Sequence, residues 1–518
     1  MRSARVAGAV CAVLVTGFVM LWALASLSWP FGLDQGIFAW VGDTIVRGGV
    51  PYRDAWEIKG PATHYLYALA QLLFGRDVWG LRVLDLALLA ASGAAAFGLA
   101  GRDAQGAARR LAGATAAVFW ILLYATGGYW HAAQPDGWAA MAWLGAAWAV
   151  ARPRPSTAHW LVAGGLCGLS ALLKPPFALF VGLLLLDRVW RADLAVALRA
   201  APAALGGMLG VVALALLGFA RAGALGDLIE VQLVFNPGLH PTAYRDLGPG
   251  EVAQSWLRWL AQPWAAAALG AGVVGVVVSW RAARADALLV AGWGLLAALL
   301  VTGQNQYFHY HFWPLLAALA LGAGLVARRV SQLAPGLVRS ALAAGLVASL
   351  LVAAWQPALW IRAATAALPG VEAARYERYR NGFGMGSYGF AAMEQIAARI
   401  RERTLPGDPI LVWGFESGLY FLADRPASTR FGFLYPLVRG GGSDLESRYL
   451  REFAASLRER PPAYAVVFAQ SYDEAALPEA NRVALGSLWS LLERCYAVDE
   501  ALASERLRAW ARDPAKCP

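Results

Sequence analysis

Long apolar runs separated by short polar stretches fill the first two-thirds of the chain. A helix needs about 20 mostly apolar residues to cross a bilayer, and residues 6–27 form the first of many runs near that length. No small-residue cleavage site stands out there, so this run predicts a retained span rather than a signal peptide. The pattern predicts about eleven spans, near residues 6–28, 79–100, 111–127, 135–150, 159–173, 176–188, 201–220, 264–280, 285–302, 308–327 and 340–357.

Two of these runs, 159–173 and 176–188, are each shorter than a full span. Between them stands Lys174-Pro175-Pro176, so the pattern predicts a re-entrant hairpin or two short helices with the prolines at the tip. One long helix over 159–188 is the alternative. It would reverse the orientation of every later segment.

The polar segments between the runs differ in kind from the tail. Residues 29–78 form a long first loop, in which 35–46 has an amphipathic pattern that predicts a helix lying at the membrane surface. In the tail, 393–403 has helical spacing, whereas Ile410–Trp413 and Tyr464–Phe468 have the composition of strands.

These elements predict a polytopic α-helical membrane protein with a small C-terminal α/β domain. We expect the membrane domain to cover 1–357, with 29–78 as its first outer loop, and the tail domain to cover 358–518. Residues 440–443 are expected to form a turn.

Composition supports this class, because 59% of the residues are hydrophobic and 15% are charged, against about 25% charged in soluble domains. The net charge of +10 does not indicate nucleic-acid binding, since the basic residues are scattered in short loops between the apolar runs. Such a pattern determines orientation in the membrane instead.

The arginines predict that orientation. An odd number of spans puts the two termini on opposite sides, and one alternate set of loops is assigned to the cytoplasm by the positive-inside rule. The N-terminus is therefore expected inside and the tail outside. Fifteen arginines fall on the inner loops: Arg2, Arg5, Arg102, Arg109, Arg110, Arg152, Arg154, Arg188, Arg191, Arg199, Arg281, Arg284, Arg328, Arg329 and Arg339.

Lysine and histidine concentrate on the predicted outer side. The chain has three lysines against 41 arginines, and Lys59 and Lys174 both fall on outer segments. A lysine is a compact point charge suited to a phosphate, although an interfacial anchor that reaches toward water is the alternative. His309-Tyr310-His311 opens a span, but no HExxH or paired acidic spacing supports a metal site.

Several carboxylates lie on the same predicted side. Asp34 follows the first span directly, Asp54 and Glu57 lie further along the first loop, and Asp136 opens the fourth span after Pro135. A carboxylate at a membrane mouth is costly unless compensated, so each is a candidate general base. For Asp136 the alternative is a structural role at a helix N-terminus.

The first loop also carries a family motif. Leu33-Asp34-Gln35-Gly36-Ile37-Phe38, together with Arg47-Gly48-Gly49-Val50-Pro51-Tyr52-Arg53-Asp54-Ala55-Trp56-Glu57-Ile58-Lys59-Gly60-Pro61, resembles the first outer loop of bacterial C-type glycosyltransferases. These polyprenol-phosphate-dependent enzymes are related to protein O-mannosyltransferases and to the aminoarabinose transferase of lipid A. Members frequently have an acid in place of Gln35 and Lys-Pro-Pro in place of Lys59-Gly60-Pro61.

The resemblance implies a mechanism. Asp34 would deprotonate an acceptor hydroxyl, which would attack the anomeric carbon of a sugar on a polyprenyl phosphate, with inversion, while Lys59 would hold the leaving phosphate. The implied contacts to substrate or phosphate are Lys174, Arg53, His309 and Tyr310, and the secondary acid candidates are Asp136, Glu57 and Asp54. No cofactor is implied, and with Gln35 in place of an acid the sequence supports no metal.

The expected partners are thus a polyprenyl-phosphate-linked sugar, an acceptor outside the cytosol and membrane lipid, in an inner (plasma) membrane with the site on its periplasmic face. A transporter or lipid-linked-sugar flippase is the alternative, and it would predict inverted repeats with matching broken helices. A noncatalytic scaffold would not need Asp34. Cys495 and Cys517 lie in the tail, where an oxidising compartment would permit a disulfide.

Overall fold

The computed structural model describes residues 2–192, 194–238, 247–333, 379–386, 388–438, 443–468, 479–504 and 507–517. Contacts divide the chain into two compact units. We call Met1–Ser28, Arg82–Leu216 and Leu247–Thr365 the helical unit, and Trp29–Leu81, Leu217–Asp246 and Ala366–Pro518 the mixed unit. The first outer loop thus belongs to the same unit as the tail. The predicted domain boundary after residue 357 and most of the predicted turn at 440–443 lie outside the described residues.

Helices form most of the described chain up to Leu333. They are α1 (Arg2–Leu27), α2 (Leu33–Val46), α3 (Pro61–Phe74), α4 (Val78–Ala100), α5 (Gly106–Ala125), α6 (Gly128–His131), α7 (Pro135–Ala149), α8 (Thr157–Leu173), α9 (Phe180–Arg191), α10 (Leu194–Arg221), α11 (Leu225–Ile229), α12 (Asn236–Gly238), α13 (Pro249–Leu260), α14 (Pro263–Ser279), α15 (Arg284–Gln304) and α16 (Trp313–Leu333). Short 3-10 turns cover Pro175–Leu179 and His309–Phe312, and a π-helical turn covers Glu230–Phe235.

A helix covers each of the first ten predicted spans, and the eleventh, 340–357, lies outside the described residues. Within the described chain, five helical segments are long and apolar enough to cross a membrane by themselves. A sixth arises if α13 and α14, which are bent by 94° at their junction, count as one span. The helices are therefore confirmed, whereas the count of eleven stays a prediction.

The predicted interruption at Lys174-Pro175-Pro176 is confirmed. Helix α8 ends at Leu173, and α9 begins at Phe180 after a 3-10 turn. Arg188, near the end of α9, donates to the backbone oxygens of Val150 and Arg152 at 2.9 and 2.7 Å. Because α8 starts only a few residues beyond Arg152, the end of α9 lies beside the start of α8. The two helices therefore form a hairpin, which excludes one long helix over 159–188.

Glycines allow the helices of the helical unit to approach closely. A Cβ on Gly164 of α8 would lie 1.9 Å from the carbonyl oxygen of Ala204, and one on Gly207 of α10 would lie 2.2 Å from that of Leu161. Helices α14 and α16 meet in the same way, since a Cβ on Gly275 would lie 2.1 Å from the oxygen of Gly322. Small residues at such crossings are typical of membrane helices, because packing replaces the hydrophobic drive there.

Buried ion pairs join one end of the helical unit. The Asp286 carboxylate at the start of α15 contacts Arg102 at 2.6 Å, Arg328 at 2.7 Å and also Arg191. Arg191 pairs in addition with Asp187 at 2.9 Å. These arginines come from three of the predicted inner loops, so the structure places those loops at the same end of the bundle.

The tail in the mixed unit is α/β, as predicted. Its helices are α17 (Phe390–Arg403), α18 (Gly418–Ala423), α19 (Tyr435–Val438), α20 (Asp444–Glu459) and α21 (Glu479–Cys495). Its strands are β1 (Gly384–Met385), β2 (Tyr388–Gly389), β3 (Ile410–Trp413), β4 (Tyr464–Phe468), β5 (Tyr496–Val498) and β6 (Leu507–Arg512).

The main sheet has the order β3-β4-β6-β5. Strands β3 and β4 are parallel, with Ile410 opposite Tyr464, while β6 is antiparallel to both of its neighbours. The predicted helix at 393–403 and both predicted strands are confirmed. Cys495 and Cys517 form a disulfide with their Cα atoms 5.0 Å apart.

The first outer loop packs against the tail inside the mixed unit. A Cβ on Gly36 of α2 would lie 3.0 Å from Cα of Gly418, and one on Gly432 would lie 2.2 Å from the ring of Trp40. Trp56, fully buried, contacts the rings of Phe235 and Tyr449 with centroids 4.8 and 5.9 Å away. These close contacts fix the loop that carries the predicted base and phosphate ligand.

Candidate active site

Asp34 lies at the N-terminus of α2, in its first turn, and is half-buried. The helix dipole favours a negative charge at this position. The neighbouring Gln35 is fully buried, and its side-chain oxygen accepts from the backbone N–H of Gly32 at 3.1 Å. Gln35 thus caps the helix instead of providing a second acid beside Asp34.

The backbone around Lys59 is held by several hydrogen bonds. Its carbonyl oxygen accepts from the Tyr52 hydroxyl at 2.7 Å and from the Gln232 amide at 3.1 Å. Its N–H donates to Oε2 of Glu57 at 2.5 Å. No described side chain pairs with the half-buried Lys59 ammonium. The loop therefore fixes this residue while leaving its charge available for a ligand.

Glu57 and His64 form a buried pair beside this lysine. Their side chains are 3% and 0% exposed, and Nε2 of His64 lies 3.3 Å from Oε2 of Glu57. The imidazole also packs edge-on against the rings of Phe38 and Tyr52. The angles between His64 and Glu57 fall short of a hydrogen bond. Because Glu57 accepts from the backbone N–H of Lys59, this carboxylate positions the lysine.

Arg53 and Asp54 form a separate, more exposed pair. The guanidinium donates to both oxygens of Asp54, at 3.0 and 2.8 Å, and to the backbone oxygen of Ala222 at 2.6 Å. Burial raises the pKa of Asp54, but the hydrogen bonds from Arg53 and from the Val50 N–H outweigh it, so the pKa lies below its usual range. Arg53 is thus already paired, unlike Lys59.

In the helical unit, Lys174 and Asp136 come together as an ion pair. Nζ of Lys174 lies 2.6 Å from Oδ2 of Asp136, although the angles fall short of a hydrogen bond. The ammonium also donates to Oε1 of Gln304 and lies 5.8 Å from the ring centre of Tyr310. Asp136 is fully buried at the start of α7, where the helix dipole also favours its charge.

His131 and His309 lie near each other at the same end of this unit. Their ring centres are 5.2 Å apart, and Nε2 of His309 lies 3.2 Å from the Thr126 hydroxyl. Burial lowers the pKa of His131 to about 4, so this ring is neutral near pH 7. Within the described residues, no three His, Cys, Asp or Glu side chains converge as metal ligands. The expected lack of a metal and of a cofactor stays a prediction.

The sequence analysis missed Asp85, a buried carboxylate inside α4. It accepts hydrogen bonds from the Tyr124 hydroxyl at 2.8 and 2.9 Å and from the Trp138 indole at 2.9 Å. The Tyr124 oxygen in turn accepts from the N–H of Ala133 at 2.9 Å. Asp85 therefore positions the segment that leads into Asp136. An acid within an apolar run is the signal that would have identified it.

The structure thus gathers the predicted residues into two groups, each within one unit. Asp34, Arg53, Asp54, Glu57 and Lys59 belong to the mixed unit, and Asp136, Lys174, His309 and Tyr310 belong to the helical unit. An apolar helical bundle with such polar ends indicates an integral membrane protein, and its fold is shared with a solved membrane protein.

The particular likeness is to ArnT, a lipid A aminoarabinose transferase. ArnT from Cupriavidus metallidurans bound to undecaprenyl phosphate matches with a TM-score of 0.57 and 17% identity, over 98% of this chain and 99% of ArnT. Its apo state matches with a TM-score of 0.59 and 17% identity, over 98% of both chains. At this identity the likeness is one of fold. No protein-family model and no curated protein sequence matches the chain.

Proposed function

We propose that this protein is a membrane glycosyltransferase that moves a sugar from a polyprenyl phosphate to an acceptor outside the cytosol. One observation carries the proposal. The chain shares its fold, over almost its whole length, with a structure that holds undecaprenyl phosphate. The first loop of this chain supports it with a fixed lysine whose ammonium has no partner among the described residues.

Asp34 is proposed as the general base. Its carboxylate takes the proton of the acceptor hydroxyl as that oxygen bonds to the anomeric carbon. The bond between this carbon and the phosphate oxygen breaks, so polyprenyl phosphate leaves and the configuration inverts. The first-turn position of Asp34 favours the ionised form that a base requires.

Lys59 is proposed to stabilise the leaving phosphate. Charge grows on the phosphate oxygens as the glycosidic bond breaks, and a preorganised cation offsets it without rearranging. The hydrogen bonds that the Lys59 backbone makes with Tyr52, Gln232 and Glu57 supply that preorganisation. Lys174, His309 and Tyr310 are proposed as further substrate contacts. Arg53 and Asp54 neutralise each other, which makes them weaker candidates.

Replacing Asp34, the proposed base, should have a different effect from replacing Lys59, which is proposed to bind the phosphate. Asp34→Asn keeps the shape but removes the basicity, so turnover should fall by about 10²–10⁴ while donor binding persists. Lys59→Ala should weaken both donor binding and turnover, and Lys59→Arg should restore them only in part. The measurements are sugar transfer from a polyprenyl-phosphate sugar in nanodiscs and a separate donor-binding assay.

Matched controls lie elsewhere in the same unit. Asp77→Asn changes an exposed acid after α3, and Lys516→Ala removes a tail lysine that donates to the Tyr496 carbonyl. Both should retain normal turnover. Wild-type turnover in Asp34→Asn would contradict the assignment of the base, and Asp54, Glu57 and Asp136 would then be the next candidates.

A transporter has one observation in its favour, the 94° bend between α13 and α14. Bent or broken helices at matching positions of two halves are typical of transporters. Purified protein in detergent separates the two functions, because a transporter moves its substrate without making a covalent product. Transfer of the sugar to an acceptor under these conditions supports the enzyme, and its absence with a tightly bound donor supports the transporter.

A further inference from the structure

A small cavity of about 90 Å³ lies at the end of the helical unit that carries the Asp286 ion pairs. It is smaller than the usual site for a small-molecule substrate, which has about 300–1,000 Å³. At about 30 Å³ for each water molecule, it has space for a group the size of a phosphate. Its walls come from the end of α14 and the loop that follows, the end of α16, and the loop between α4 and α5: Ser279, Ala282, Ala283, Arg328, Arg329, Gln332 and Asp103.

The two arginines in the cavity wall differ in their partners. Arg328 is buried, and its guanidinium donates to the Asp286 carboxylate at 2.7 Å. Arg329 is half-buried and makes no ion pair or side-chain hydrogen bond with any residue that the structure describes. A guanidinium presents several N–H donors in a planar fork that matches the oxygens of a phosphate. Arg329 is therefore available to an anion in this cavity.

The charges next to the cavity do not cancel. Asp103, the acid in its lining, contacts Arg102 at 3.7 Å and Arg191 at 3.5 Å, so it is already engaged. Among the described residues, four arginines and three aspartates make up this cluster: Arg102, Arg191, Arg328, Arg329, Asp103, Asp187 and Asp286. One positive charge is left over, and the single negative charge of a phosphodiester would balance it.

An exposed tryptophan indicates that the cavity lies at the depth of the lipid headgroups. Trp280 stands in the chain between the lining residues Ser279 and Ala282, and it is 45% exposed. The Arg284 guanidinium lies 5.6 Å from the centre of its ring. Tryptophans concentrate at the two membrane–water interfaces, because one part of the ring system is apolar and its N–H is polar.

Helix α14 offers an apolar surface that leads to the same place. Val273, Val274 and Val277 are 52, 48 and 66% exposed, and the helix ends at Ser279 in the cavity wall. A free anion would use only the charge of the cavity. A phospholipid would use the charge and also cover the valines with an acyl chain, so the combination favours a lipid.

We propose that this cavity binds the phosphate of an anionic phospholipid, with Arg329 as its cation and an acyl chain along α14. By the predicted orientation the lipid belongs to the inner leaflet, where basic pockets between helices bind acidic headgroups. None of the lining residues takes part in the proposed sugar transfer, so this inference does not depend on that function.

Native mass spectrometry of the full chain tests the site, with phosphatidylglycerol and phosphatidylcholine as probes. Wild type should bind phosphatidylglycerol at least about fivefold tighter, because the choline cation is repelled by the surplus positive charge. Arg329→Gln should weaken phosphatidylglycerol binding about fivefold. Ala282→Leu keeps every charge but fills the cavity, so it should have a similar effect. Arg154→Gln removes an exposed arginine outside the lining and should bind like wild type.

Three results would overturn the proposal. The first is equal binding of the two lipids by the wild type. The second is an equal loss in Arg329→Gln and Arg154→Gln, which would indicate surface charge in general, or an unchanged preference in Ala282→Leu. The third is displacement of phosphatidylglycerol by inorganic phosphate at the same concentration, which would indicate a site for a free anion. Failure of inorganic phosphate to displace the lipid supports the lipid assignment.

Discussion

Single residues of the first outer loop show how differently two nearby carboxylates can be placed. Glu57 is almost fully buried, accepts from the Lys59 backbone N–H and lies 3.3 Å from Nε2 of His64. Asp54 keeps 36% of its side chain exposed and pairs with Arg53, whose side chain is 40% exposed. An exposed ion pair stabilises a protein by about 0–1 kcal/mol, whereas a hydrogen bond to a charged group contributes about 1.5–3 kcal/mol.

We therefore expect Glu57→Ala to lower the stability by about 2–3 kcal/mol and Asp54→Ala to lower it by less than about 1 kcal/mol. Glu57→Ala should also weaken donor binding, because Lys59 loses the acceptor of its N–H. Thermal unfolding followed by tryptophan fluorescence in detergent measures the first effect. Equal shifts for the two variants would show that Glu57 does not position the loop.

At the scale of secondary-structure elements, adjacent glycines in α10 offer a direct comparison. A Cβ on Gly207 would lie 2.2 Å from the Leu161 oxygen of α8, whereas one on Gly206 meets nothing within 4 Å. Gly207→Ala should cost about 1–3 kcal/mol, because the helices must separate. Gly206→Ala should be neutral or stabilising by up to about 1 kcal/mol, since alanine favours a helix.

Unfolding of the two variants in the same detergent measures this difference. If both alanines have the same effect, the close crossing of α8 and α10 is not a feature of the folded protein.

Elements with a local signal were predictable from the sequence. The prolines after Lys174 signalled the break between α8 and α9, and the apolar β-branched runs signalled β3 and β4. Strands β5 and β6 were not predicted. Strand β5 has three residues, and β6 has arginines at its second and last positions in a region rich in helix formers. Their pairing depends on a neighbouring strand that local pattern does not reveal.

The sequence predicted which residues belong to the candidate site but not how they are arranged in space. The first-loop motif identified Asp34 and Lys59, but periodicity carries no information about which distant segments meet. The contacts of Trp56 with Phe235 and Tyr449, which place this loop with the tail, therefore had no signal in the sequence. The pairing of Lys174 with Asp136 likewise had no signal in the sequence, since the two positions are 38 apart along the chain.

For the whole molecule, orientation in the membrane is the property that the arginines predict. Cysteines introduced at Asp77 and Glu459 should react with a membrane-impermeant reagent in intact cells, while those at Gln105 and Ala195 should react only after permeabilisation. All four positions are exposed. The background for these variants lacks Cys11 and Cys167. Labelling of the Ala195 position from outside would contradict the predicted orientation.

The ion pairs around Asp286 have a consequence for how the chain enters the membrane. The ribosome makes Arg102 and Arg191 first, and Asp286 follows 184 and 95 residues later. Both arginines are thus still unneutralised by Asp286 when their loops reach the insertion machinery, which responds to such positive charge. Only after α15 has been synthesised does that carboxylate gather them. On the predicted orientation, the same side chains serve first as signals for insertion and later as the ion pairs that join these helices in the folded bundle.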